Sequence, residues 1–261
     1  SAEGVHFRLD WISLEEAGYR STASALSDLA AAGASVTGIL AAVTAPRAAT
    51  KEDLARFMSG VGGAGAQVGG LVLGGDLTAA DLWSATITVL GRAARPLRRR
   101  GARAGDGLWV TGLLGGARAA VQSWLAGGEP RREARAAFAH PSPRIAAGTW
   151  LADAGATAMM DLSDGLAGDA GHLAAASGVA LEIELARLPV HPSVPGPDRA
   201  LFAAAGGEDY ELLVTMPGAF SADTASGVPL TRIGTVKAGE GIRLLRDDQV
   251  IALPSSYNHF A

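Results

Sequence analysis

The sequence predicts an α/β protein of two units with mixed α+β sheets, and three observations lead there. Helix-like and strand-like patterns interleave along all 261 residues, and no repeat of fixed 20–50 residue period is visible. An arginine-rich stretch at 93–105, carrying Pro96, Gly101 and Gly105, divides the chain into predicted domains 1–100 and 101–261.

The first element follows from Ser13-Leu14-Glu15-Glu16, a capping-box pattern, and from the Ala- and Leu-rich run after it that closes at Gly33. Within this helix Leu26 and Ala30 form the apolar stripe. Asp28 lies about 200° from each at ~100° per residue, so it projects away from the core. A strand at 35–45, a helix at 50–58 and strands at 70–76 and 83–92 complete the first unit, the third of these ending on Asp76.

The second unit reads as a strand at 108–111, a glycine turn at 112–116, a helix at 117–126, a loop at Pro141-Ser142-Pro143 and a helix at 144–154. A strand at 157–162 then opens onto Ser163-Asp164-Gly165, and a helix runs on to Ser177. A strand near 181–185, a proline-rich loop at 189–197, a strand at 210–216 and short strands follow. In the 210–216 strand, alternation sets Asp209 and Glu211 on a polar face opposite Tyr210, Leu212 and Val214.

Composition narrows the function. With 48% hydrophobic and 18% charged residues the chain is globular, and 22 − 26 gives a net charge of −4. An acidic chain argues against nucleic-acid and membrane-surface partners, although Arg98-Arg99-Arg100 is a local basic cluster. The absence of cysteine excludes disulfides, thiolate zinc sites, iron–sulfur clusters and a cysteine nucleophile. No run of ~18 apolar residues occurs and the first residues lack signal-peptide character, so the expected location is cytoplasmic.

Several motifs fail on context. Gly60-Val61-Gly62-Gly63-Ala64-Gly65 spells G-x-G-x-x-G, but a helix pattern precedes it where a dinucleotide site needs a strand. Leu162-Ser163-Asp164-Gly165 looks like a nucleophile elbow, yet Asp161 stands where G-x-S-x-G requires glycine. Neither a P-loop nor H-E-x-x-H is present. His172, three residues after Asp169 on a predicted helix, reads as half of a surface pair, and His140 and His191 adjoin prolines in loops.

What remains is a set of acids beside glycines: Asp76 after Gly74-Gly75, Asp161 and Asp164 around Ser163, and Glu208-Asp209 after Gly206-Gly207. Each lies at the end of a predicted strand, where α/β sheets place ligands, and such carboxylates suit a hard cation. Turn preference alone also explains each pairing of Asp with Gly. The lysines are only Lys51 and Lys237, so a phosphorylated ligand here needs Mg²⁺ and arginine for neutralisation. The strand-turn-helix at 110–117 adds backbone N–H groups at a helix start where phosphate can rest.

The sequence resembles the thiamine-monophosphate kinases of the aminoimidazole-ribonucleotide synthetase-like superfamily. The segments that carry the resemblance are Glu3-Gly4-Val5-His6-Phe7, Leu26-Ser27-Asp28-Leu29-Ala30, Gly74-Gly75-Asp76, Gly101-Ala102 with Gly105-Asp106, Val110-Thr111-Gly112, Asp161-Leu162-Ser163-Asp164-Gly165-Leu166, Gly207-Glu208-Asp209-Tyr210-Glu211-Leu212-Leu213 and His259-Phe260. It implies transfer of the γ-phosphoryl group of ATP onto thiamine monophosphate, several Mg²⁺ ions, and a homodimer built by the N-terminal sheets.

Carried over by position, Asp28, Asp76, Asp161 and Asp164 match metal ligands, and Gly75, Asp76, Arg99 and Ser163 match nucleotide contacts. His6, Glu208 and Asp209 match substrate contacts, with Tyr257 or Phe260 as an aromatic wall. No covalent nucleophile or general base is implied. The family pattern also has a Gly-Asp-Asp-Ala-Ala-Val stretch and a Thr-Thr-Asp ahead of Glu-Gly-Val-His-Phe. Both are expected to precede Ser1 in the whole protein, because a deletion stopping within a core strand would damage the sheet. Another ATP-using synthetase of the superfamily, or a non-catalytic nucleotide- or thiamine-phosphate-binding protein, stays open on the residues alone.

Overall fold

Ser13 caps α1 (Leu14–Ala31) as expected: its hydroxyl accepts the Glu16 N–H, and the Glu16 carboxylate accepts the Ser13 N–H. β1 (Ser35–Pro46) follows, then α2 (Lys51–Ala66), β2 (Val72–Ala80) and β3 (Ser84–Arg92). These coordinates are a computed structural model describing residues 1–253; Tyr257 and Phe260 lie outside the described residues.

β1 is the centre of a three-stranded sheet, parallel to β2 and antiparallel to β3. Its buried residues Ile39, Ala41 and Val43 pack on Phe57 and Val61 of α2 and on Ala17 of α1. The helix α2 runs eight residues beyond the expected 58, taking in the whole Gly60–Gly65 run. The reason is packing. A Cβ at Gly60 would stand 1.8 Å from the Glu15 carbonyl oxygen, and one at Gly18 would stand 2.0 Å from that of Phe57. These glycines bring two helix backbones together and form no nucleotide loop.

The second part holds β4 (Gly107–Thr111), α3 (Gly116–Leu125), α4 (Arg132–Ala139), α5 (Ile145–Asp153), β5 (Ala158–Asp161), α6 (Leu166–Ser177) and β6 (Ala180–Glu184). It continues with α7 (Arg199–Ala204), β7 (Leu212–Met216), β8 (Thr224–Ala225), β9 (Val228–Lys237), β10 (Gly241–Arg246) and β11 (Gln249–Ile251). The strands form one mixed sheet in the order β11-β10-β6-β9-β4-β7-β5, with β8 on β9.

Helices cover both faces of this sheet. Leu166, Ala170 and Leu173 of α6 pack on Leu108, Val110 and Met160, while Ile145, Ala147 and Leu151 of α5 pack on Trp109, Met159 and Val214. Burial on both faces makes every residue of β4, β5 and β7 buried, so the expected polar face of the 210–216 strand does not exist. Residues 208–211 form a separate loop ahead of β7, with Glu208 and Tyr210 at positive φ of 68° and 51°.

α1 also joins the two sheets. A Cβ at Gly148 of α5 would lie 2.1 Å from the Ala30 carbonyl oxygen, so α1 and α5 touch backbone to backbone there. Among the described residues, no helix is long and apolar enough to cross a membrane.

Candidate active site

Between α1, β3, α3 and the ends of β5 and β7 lies a cavity of about 930 Å³. From α1, Ser21, Ser24, Ala25 and Asp28 line it, at three- and four-residue intervals that set them on one helix face. Of the residues singled out in the sequence, His6, Asp28, Asp161, Ser163, Asp164 and Glu208 line the cavity.

Asp161 ends β5, and Ser27 donates its hydroxyl to Asp161 Oδ2 at 2.6 Å. Burial raises the Asp161 pKa. The Ser27 bond and the nearby Arg99 charge oppose that shift, and Asp164 adds to it. Burial likewise raises Asp28, followed by the charge of Asp161, with Arg99 opposing. Asp28 and Asp161 thus repel each other across the joint between α1 and β5, and Arg99 is close enough to act on both.

The turn after Asp161 is held from below. Asp169 of α6 is 1% exposed, and its Oδ2 accepts the backbone N–H groups of Ser163, Asp164 and Gly165 at 3.0, 3.0 and 3.1 Å. Burial first, then the charges of Asp164 and Asp161, push the Asp169 carboxyl up to about 7 against those N–H bonds. The surface pairing expected of Asp169 with His172 is therefore incorrect, since the acid faces inward to fix the turn.

A second loop lies beside the first. The Glu208 N–H donates to the Ser163 carbonyl at 2.7 Å, and the Tyr210 N–H donates to that of Leu162 at 2.9 Å. Residue 207 must be glycine here, because a Cβ would sit 2.7 Å from the Ser163 carbonyl oxygen. Glu208 forms an ion pair with the buried Arg20, whose ring neighbours are Phe138 and Tyr210. The Tyr210 hydroxyl is pushed up to about 12, chiefly by burial.

Other expected residues are placed elsewhere. Asp209 does not line the cavity: both its carboxylate oxygens accept the Gly115 N–H, at 3.0 and 2.9 Å, at the start of α3. Burial raises its pKa well above the ordinary aspartate value. Glu211 is buried, bound by both Arg144 Nε at 2.8 Å and Nη2 at 2.6 Å, and by the Thr111 hydroxyl at 2.7 Å. Asp76 stands in mid-strand rather than at a strand end. It is in register with Ala42 of β1, which is in register with the cavity-lining Thr86 of β3, so the three form one row across the sheet. Asp76 is then two strand spacings, about 10 Å, from Thr86. Gly75 has a packing role, since a Cβ there would lie 1.8 Å from the Ala41 carbonyl oxygen.

Chain comparisons place this architecture. The family model for the N-terminal domain of AIR synthase related proteins matches residues 1–93, and the one for the C-terminal domain matches 103–247. The thiamine-monophosphate kinase of Escherichia coli K12 is 36% identical over 276 residues, covering 99% of this chain and 84% of that protein. That of Halobacterium salinarum is 38% identical over 233 residues, covering 87% and 79%. The chain belongs to the thiamine-monophosphate kinase family. A solved structure described as AaThiL complexed with AMPPCP and TMP superposes with a TM-score of 0.90 at 31% identity, covering 99% of this chain and 84% of that one.

In this family member, the cavity is also lined by Trp11, Arg118 and Phe138, which sequence reasoning missed. Trp11 stacks on Trp124 with ring centroids 5.1 Å apart, and the Arg118 guanidinium lies over Phe202 at 4.6 Å. The hints were in the letters: polar side chains every three or four residues in the otherwise Ala-rich α1, and an arginine in the first turn of α3.

Proposed function

We infer that this chain is an ATP-dependent kinase that phosphorylates thiamine monophosphate to thiamine diphosphate. The observation that carries the reading is the convergence of His6, Asp28, Asp161, Ser163, Asp164 and Glu208 on one cavity, in a chain similar over nearly its whole length to a protein solved with AMPPCP and TMP. An oxygen of the acceptor phosphate attacks the γ-phosphorus of ATP, the bond to the β-phosphate bridge breaks, and ADP leaves. The acceptor is already an anion, so alignment and charge neutralisation dominate, and no general base is required.

The residues fit Mg²⁺ as the neutralising ion. Asp28, Asp161 and Asp164 offer only hard oxygen donors, and their mutual repulsion leaves the cluster short of positive charge. Among the described residues no group of three or more acids or histidines forms a cage by itself. That agrees with Mg²⁺ chemistry, in which one or two carboxylates share the ion with substrate phosphates and water. When bound, the ion would stabilise charge on the transferring group. Ser163 and Arg99 contact the nucleotide in this reading, and His6 and Glu208 contact thiamine monophosphate. Asp76, at the far end of its row, does not line the cavity and stands apart from the set formed by Asp28, Asp161 and Asp164.

The unit 1–100 serves dimerisation as well as binding. The edge strand β2 exposes Leu73 and Leu77, Leu71 is exposed just ahead of it, and the open sheet face adds Leu40 and Leu90. An unpaired apolar edge of this kind is covered in a stable protein, and a second copy supplies the matching surface. Use of ATP fits a cytoplasmic setting. The site assignment is tested with Asp161→Asn and Asp164→Asn. Each is expected to lose thiamine diphosphate formation at least 100-fold with cooperative unfolding retained, and rates within threefold of the parent would remove the assignment.

A further inference from the structure

We propose that Arg20 is the positioning residue that holds the two thiamine-phosphate contacts, His6 and Glu208, in one geometry across the joint between the two sheets. The inference rests on the reading of His6 and Glu208 as substrate contacts. Arg20 sits on α1 and is 3% exposed, so its guanidinium must be satisfied by protein groups. Three donors are committed to three different segments. Nε donates to the His6 carbonyl at 3.2 Å, Nη1 to the carbonyl of Phe138 at the end of α4, and Nη2 to the Glu208 carboxylate.

Arg20 Cζ also lies 3.8 Å from the Phe138 ring centroid and 5.8 Å from that of Tyr210. A planar cation with a fixed fork of donors can hold three acceptors and stack at once, which a lysine ammonium cannot reproduce. His6 has its own local tie, since its Nδ1 accepts the Ala2 N–H at 3.1 Å, so the loop geometry around it is defined on both sides.

The Glu208 backbone shows what Arg20 restrains. Glu208 adopts φ 68°, a left-handed conformation that is strained for a non-glycine residue and persists only when surrounding contacts enforce it. The backbone bond to Ser163 and the ion pair to Arg20 are those contacts. Because the same guanidinium fixes the His6 carbonyl, losing it frees both walls of the substrate pocket and leaves the Asp161–Gly165 turn, held by Asp169, in place.

The experiment compares the parent with Arg20→Gln and Arg20→Lys. Two readouts are used: hydrogen–deuterium exchange of segments 2–8, 160–166 and 205–211, and steady-state kinetics in Mg-ATP with thiamine monophosphate. R20Q is expected to speed exchange in 2–8 and 205–211 together by tenfold or more, with 160–166 unchanged, and R20K to recover part of it. In kinetics, R20Q raises KM for thiamine monophosphate at least tenfold and leaves KM for ATP within twofold. Unchanged exchange in either outer segment, or uniform acceleration across all three, overturns the positioning role whatever the activity. A parent that makes no thiamine diphosphate overturns the functional reading instead, and the exchange result still decides the role of Arg20.

Discussion

Ser27 Oγ lies 2.6 Å from Asp161 Oδ2, a bond between a helix packed on the first sheet and the last residue of a strand in the second. Through it, two sheets folded from separate stretches of chain present their acids to one cavity. Ser27 stabilises Asp161 as a carboxylate, where burial opposes the charge. Ser27→Ala is therefore expected to lower kcat/KM about tenfold and to raise the Mg²⁺ concentration needed for half-maximal rate. A titration of initial rate against Mg²⁺ checks both, and a parent-like curve would contradict the role given to this bond.

The glycine run of α2 yields a paired prediction. Gly60→Ala forces a Cβ into the Glu15 carbonyl and is expected to destabilise the fold by about 2–3 kcal/mol. Gly62 lies in the same helix with no atom within 4 Å of a built Cβ, so Gly62→Ala is expected to stabilise by about 0.5–1 kcal/mol. Urea denaturation of both variants separates helix packing from a nucleotide loop, for which Gly62 would be the intolerant position as well.

Glu16 supplies a pH dependence. Burial works against its ionisation, but Arg135, bound at 2.6 and 2.9 Å, and the Ser13 cap outweigh it and hold the pKa at about 2, below the ordinary 4.5. A depressed carboxylate stabilises the fold above the unfolded pKa, and that contribution is lost as pH falls from about 4.5 toward about 2. Glu16→Gln should flatten stability across that window relative to the parent. Thermal unfolding at a series of acid pH values measures it, and identical slopes for the two proteins would refute the assignment.

Leu73 tests the second copy. It is 59% exposed on the edge strand β2, and Leu73→Lys places a charge in the proposed contact. The variant is expected to sediment as a monomer where the parent sediments as a dimer, and a parent that is itself monomeric at micromolar concentration would rule the dimer out.

Local signals in the sequence were legible wherever the chain settles its own geometry. The capping box set the start of α1, and Asp161-Leu162-Ser163-Asp164-Gly165 marked a strand opening onto a helix. Long-range partners were not legible. Arg20 and Glu208 are 188 residues apart, and nothing in either neighbourhood encodes the pairing. Asp169 read as a surface residue because helical spacing cannot tell an acid facing water from one folded under a turn whose N–H groups it accepts. Period-two reasoning failed at Asp209 and Glu211 because the positive φ values of Glu208 and Tyr210 break the extended chain that it assumes. α4 was missed entirely, its short Arg132–Ala139 run lacking a side-chain cap.

Phosphorus NMR of the protein with Mg-ATP and thiamine monophosphate follows the transfer of a phosphoryl group from ATP to thiamine monophosphate in this cavity. Thiamine diphosphate and ADP appearing one for one is the predicted result; ATP left intact, or ADP released with free phosphate and no thiamine diphosphate, would contradict it.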